Sequence, residues 1–164
     1  MGLFGKKEIL FILIILIFNL FLFLFLFNRT ITGFGFLLPK EKLVAPYDFI
    51  DEKDIIVDSG KVTINLSDYV VSKYDSSGSM IPVLDENANG IGIKPKSPDE
   101  IHVGDIISFF QAEDLIVHRV VEKGIDEEGI FFITRGDNNS FNDGKIRFSQ
   151  IDSVLVILIY WYGS

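Results

Sequence analysis

Two hydrophobic rhythms divide this chain. Residues 9–27 are Ile, Leu and Phe, interrupted only by Asn19. At about 1.5 Å of rise per residue, a helix of that length spans roughly 28 Å, close to the thickness of a bilayer's hydrocarbon core. A cleavable leader has a shorter apolar region ending at small residues. Asn28-Arg29-Thr30-Ile31 offers no such site, so the run reads as a retained membrane anchor. Past residue 60 the period becomes two. Val62, Ile64 and Leu66 alternate with Thr63 and Asn65, and Ser59-Gly60 supplies a hairpin turn before them. The same reading predicts strands over 69–74, 90–94, 105–110, 115–122, 129–135 and 154–161. Turn residues cluster at 85–89, 95–99, 127–129 and 142–144. No window outside the anchor carries a helical period.

The expected architecture is therefore mainly β: one N-terminal transmembrane helix followed by a small open barrel or pair of packed sheets. Residues 1–30 form the anchor, with the helix at about 9–27. Residues 31–60 form a juxtamembrane segment and connector, and 61–164 the β-rich domain. The apolar run 154–160 is too short to cross a membrane and reads as a buried strand. Tyr160, Trp161 and Tyr162 at its end suit the headgroup zone, where amphipathic rings are favoured.

Charge separates the two parts further. Lys6, Lys7, Arg29 and Glu8 give residues 1–30 a net +2, whereas the remainder holds 12 basic and 22 acidic side chains, a net of −10. Two lysines before the apolar run and one arginine after it place the N-terminus in the cytoplasm and the domain outside the cell membrane. Nucleic acid is not expected as a partner, because phosphate contact needs a basic face. Without cysteine there is no disulfide, thiolate metal site or Cys nucleophile. Two histidines do not make a His-rich metal site, and no cofactor is expected. The sequons at Asn28, Asn65 and Asn138 are short enough to arise by chance.

The candidate chemistry lies in three short segments. Ser77-Gly78-Ser79-Met80-Ile81-Pro82 puts a hydroxyl in a tight turn that can expose the Ser79 Oγ, with Met80 able to bury beside it. In an extended segment Ser77 points the same way as Ser79, so its hydroxyl and the Ser79 N–H could share an oxyanion. His118 sits mid-strand on one face with Ile116 and Val120, opposite Val117 and Arg119. A core histidine is the ordinary reading there, yet imidazole also suits a general base. His102, in a polar turn before a strand, reads as structural. Asp137 and Asp143 lie in a loop of Gly, Asn and Ser. Such a loop can orient an imidazole or bind calcium through several oxygens, although the spacing lacks the alternation of an EF-hand. Hydroxyl, imidazole and carboxylate are together the parts of an acyl-transfer triad.

Taken in order, these segments resemble type I signal peptidases of the archaeal and endoplasmic-reticulum type, which use His rather than Lys as the base. The matching residues are Ser77-Gly78-Ser79-Met80 with Pro82, then Gly104-Asp105-Ile106-Ile107 and His118-Arg119-Val120-Val121. Gly136-Asp137-Asn138-Asn139 with Asp143 completes the set, which covers about residues 70–160. The resemblance implies Ser79 as nucleophile, His118 as general base and Asp143 as third member. It also implies Ser77 as an oxyanion donor, Asp137 as a supporting loop acid and Gly136 as the residue keeping that loop close. The implied activity is removal of signal peptides from exported preproteins at the membrane, with lipid and possible further membrane subunits as partners. Ile81 and Val83 depart from the Glu and Thr common at their positions, and residues 40–70 match nothing in the family. Only 17 residues separate His118 from Gly136, room for a catalytic core alone. Two other readings stand beside this one. A related self-cleaving or regulatory serine peptidase would use a Lys base, which neither Lys94 nor Lys96 is placed to supply. A catalytically silent, membrane-tethered β-domain would act as a binding module.

Overall fold

The computed structural model describes Gly5 and residues 14–23 and 42–160. The chain divides into two units, Met1–Lys42 and Leu43–Ser164. In the first, residues 14–23 are α-helical and exposed, and Asn19 Nδ2 donates to the carbonyl of Ile15, 2.8 Å away. That local bond engages one donor of the polar side chain that interrupts the run. Ten residues rise only about 15 Å, and among the described residues no helix is long and apolar enough to cross a membrane. The rest of the expected anchor, like Trp161 and Tyr162, lies outside the described residues.

The second unit is mainly β, as the alternation predicts. Strands β1 (Ile55–Asp58) and β2 (Lys61–Ile64) pair as a separate hairpin. The others are β3 (Tyr69–Lys73), β4 (Ala88–Ile93), β5 (Ile106–Gln111), β6 (Asp114–Asp126), β7 (Gly129–Arg135), β8 (Lys145–Arg147) and β9 (Ile151–Tyr160). These seven form one sheet in the order β3-β4-β9-β5-β6-β7-β8, and all its pairings are antiparallel. The barrel is not closed, since β3 and β8 are the two edges.

Side chains on the pleated sheet feed two cores. One holds Ile101, Ile107, Phe109, Val120, Phe132, Ile146 and Val154. The other holds Met80, Leu84, Ala88 and Ile106. Burying a side chain such as Met80 stabilises by about 1.5–3 kcal/mol, which holds the connection between β3 and β4 against the sheet. Register shifts at Ile91/Gly92, Ser108/Phe109 and Val120/Glu122 mark bulges. Bulges bend a strand and increase its twist. Residues from β3 and its following connection thereby share a cavity with β5 and β6, although two strands separate β3 from β5 in the sheet.

The segment 43–50, expected as connector, is fastened to this unit. Tyr47 N–H donates to Asp105 Oδ1 at 2.8 Å, and Phe49 packs against the larger core. Asp105 is fully buried, and its other oxygen accepts from the His102 N–H at 2.7 Å. Beside it Gly104 has φ +107, and a Cβ there would collide with the Ala45 carbonyl. Only glycine combines that conformation with so close an approach.

Candidate active site

Ser79 opens a helical turn within the β3–β4 connection. The N–H groups of Val83 and Leu84 both donate to the Met80 carbonyl, at 2.9 and 3.0 Å, and Met80 is buried. Ser77 and Ser79 bring their hydroxyls together, although the segment is not extended: Gly78 between them has φ +69 and Ser79 lies in a turn. Their hydroxyl oxygens are 3.1 Å apart, and the Ser79 N–H donates to Ser77 Oγ at 3.4 Å.

His118 lies in the middle of β6, paired with Ile107. Its Nδ1 is 2.6 Å from Asp143 Oδ2, with only 9% and 12% of the two side chains exposed. A carboxylate can only accept, so Nδ1 carries the proton in this contact and the neutral ring keeps its lone pair on Nε2. Thr134 Oγ1 donates to the same Asp143 oxygen at 2.7 Å. The Asp143 N–H in turn donates to the Thr134 carbonyl at 2.8 Å. Thr134 is opposite Val120 across the β6–β7 pair, on the face of β6 that also carries His118. The carboxylate is thus fixed by β7 before it orients the ring.

Arg119, next along β6, points to the opposite face and holds the same loop from there. Its Nε and Nη2 donate to the two oxygens of Asp137 at 2.8 and 2.7 Å. This bidentate pair is shut off from solvent, with side-chain exposures of 6% and 0%. Arg119 Nη1 also donates to the Gly104 carbonyl at 2.8 Å. Asp137 therefore engages Arg119, and Asp143 is the acid at the imidazole. The loop then meets the nucleophile turn directly. Asn138 N–H donates to the Ser79 carbonyl at 2.9 Å, and Asn138 Nδ2 donates to the Gly78 carbonyl at 3.1 Å. A Cβ on Gly136 would stand 2.6 Å from the Ser79 carbonyl oxygen, a distance that real side chains do not reach. Glycine is what lets the loop back the serine turn so closely.

Ser77, Ser79 and His118 line one cavity of about 480 Å³, together with Tyr74, Asp85 and Ser108. The hydrogen bond of Ser79 Oγ is with Ser77 and not with the imidazole, an arrangement common at catalytic sites without substrate. Burial pushes the Tyr74 phenol up to about 12, so it stays a neutral donor on the cavity wall. Among the described residues no group of three His, Cys, Asp or Glu is placed to hold a metal ion. His102 stacks on Tyr47 at 4.2 Å and has its Nδ1 3.7 Å from Asp105, a packing role.

Three contributors were given no role by sequence reasoning, although Arg119 and Asp105 stand in the motif segments. Thr134 is a fully buried hydroxyl on a mostly apolar strand, a mismatch visible in the alternation. Arg119 is a buried cation within an apolar run, and such a residue requires a partner. Asp105 takes its role from a segment nearly sixty positions away, and no local pattern announces that. A scan of the chain against protein-family models gives no match, and neither does a search of curated proteins.

Proposed function

We propose that the protein is a serine endopeptidase of the signal-peptidase type, membrane-bound through its apolar N-terminal run, with exported preproteins as substrates. The observation that carries this reading is the 2.6 Å bond from His118 Nδ1 to Asp143, made by a ring that shares its cavity with Ser79. A serine hydroxyl is a weak nucleophile until a base takes its proton. Nε2 of His118 removes the Ser79 proton as Oγ bonds to the scissile carbonyl carbon. The oxyanion so formed is met by the Ser79 N–H and the Ser77 hydroxyl, a kind of donor whose loss costs about 3–4 kcal/mol. Collapse breaks the C–N bond, and His118 gives its proton to the departing amine. Water then attacks the Ser79 ester by the same route and restores the free hydroxyl. Asp143 stabilises the imidazolium in both halves without taking the proton.

A Lys-base alternative would have to use Lys73, which lines the same cavity, but the residue held by a carboxylate there is His118. Incubating the full chain in detergent with a labelled preprotein, and mapping the products by mass spectrometry, tests the proposal. One cut near the end of the signal peptide, absent with Ser79→Ala, is expected. An intact preprotein, or equal cleavage by Ser79→Ala, contradicts it.

A further inference from the structure

The cavity extends well beyond the triad, and its other wall has a chemistry of its own. Leu84, Leu115 and Val117 line it with apolar surface, and Tyr74 adds a half-buried ring. Among them stands the carboxylate of Asp85. Its Oδ1 is buried and accepts no hydrogen bond from the protein. Buried carboxylate oxygens are ordinarily satisfied, because leaving one without a donor is costly. Asp105 and Asp137, which are buried deeper, have both oxygens engaged. The charged neighbours lining the same cavity are Lys73, Asp75 and His118, and no ion pair joins Lys73 to Asp85. Asp85 is itself half-buried and lines the cavity, so its carboxylate is open on the cavity side to a cation that enters.

We propose that Asp85 makes this end of the cavity a subsite for a basic side chain of the substrate, Lys or Arg. A long basic side chain fits such a wall because its methylene stem lies along apolar surface while its head seeks a carboxylate. The Tyr74 ring lines the same cavity and adds to this apolar surface. The net −10 of residues 31–164 favours its approach from solution. The proposal rests on the peptidase reading only in taking a peptide as the occupant.

Binding, separated from cleavage, tests it. Fluorescent alanine-based peptides with a single Lys placed at each position in turn, and matched Gln peptides, are titrated against the full-length Ser79→Ala protein by anisotropy. At one position or more, Lys is expected to bind about threefold to tenfold more tightly than Gln. Asp85→Asn, which keeps the side-chain shape, should remove that preference. Asp85→Lys should turn it towards Glu, a reversal that a merely structural role does not produce. Equal binding of Lys and Gln peptides at every position overturns the subsite, as does a Lys preference that survives both substitutions. If cleavage by the wild-type chain proves independent of Ser79 while the Asp85-dependent preference stands, the triad fails and the subsite does not.

Discussion

At the scale of single residues, two aspartates of one loop do different physical work. Asp143 fixes the tautomer and direction of His118, so its loss is felt in the chemical step. Asp143→Ala is expected to lower kcat by about 10²–10⁴-fold and, by leaving the buried Thr134 hydroxyl without its acceptor, to cost about 1–3 kcal/mol of stability. Asp137 is half of a buried bidentate pair, and removing one partner strands the other charge in the interior. Asp137→Ala is expected to cost about 3–5 kcal/mol of stability, measured by urea unfolding. A larger kcat effect for Asp137→Ala than for Asp143→Ala, at equal folded fraction, would reverse these roles. The residues alone made both acids visible as candidates, and only the family resemblance assigned Asp143 to the triad and Asp137 to the loop. That division follows from strand geometry: His118 and Arg119 are adjacent and so face opposite sides of β6, and each captures the loop acid on its own side.

At the scale of elements, the strands with clean alternation were legible. Those predicted over 69–74, 90–94, 105–110 and 129–135 correspond to β3, β4, β5 and β7. The hairpin joining β5 to β6 was not, because its turn puts Ala112 at φ 54, a conformation seldom signalled by alanine. β8 has three residues, too few to display a period. It is tied down by charge instead: Arg147 and Lys145 both bond to Asp126 at the end of β6. Hydrogen bonds from Arg147 and then Lys145 hold the Asp126 carboxyl well below the usual range. A depressed folded-state value means the contribution is present above the ordinary Asp range and is lost as the pH falls below it. Asp126→Asn should thus lower the thermal midpoint slightly at neutral pH, with the gap closing in strong acid and shrinking in high salt. A gap that is unchanged at acid pH would remove Asp126 from the account of β8. The contact between elements matters more for activity. Gly136→Ala forces its new methyl against the Ser79 carbonyl, and displacement of a nucleophile by about 1 Å can cost 10²-fold in rate. The expected signature is a folded protein with a far lower kcat, read from circular dichroism and preprotein cleavage together.

At the scale of the whole molecule, the mainly β class followed from the period-two pattern, whereas the antiparallel pairing of one seven-stranded sheet came with the structure. What the pattern could not give was how a curved sheet brings distant segments into one cavity. The serine turn comes after β3, the imidazole from β6 and the carboxylate after β7, and strand order depends on pairings spread across the chain. The bulges that bend the sheet leave no mark in hydropathy. The two motif segments at 77–82 and 136–143 were recognisable as chemistry before their meeting was visible. Their meeting is a property of Gly136, Asn138 and the ion pair behind them.

The central claim is that Ser79 and His118 act as one unit, and a double-mutant cycle measures that most directly. Preprotein cleavage is followed under single-turnover conditions for wild type, Ser79→Ala, His118→Ala and the variant carrying both changes. Groups that share one proton transfer are grossly non-additive, so the double variant should be no slower than either single one, with all three at the same residual rate. Losses that multiply, or a single variant that keeps the wild-type rate, would contradict the account.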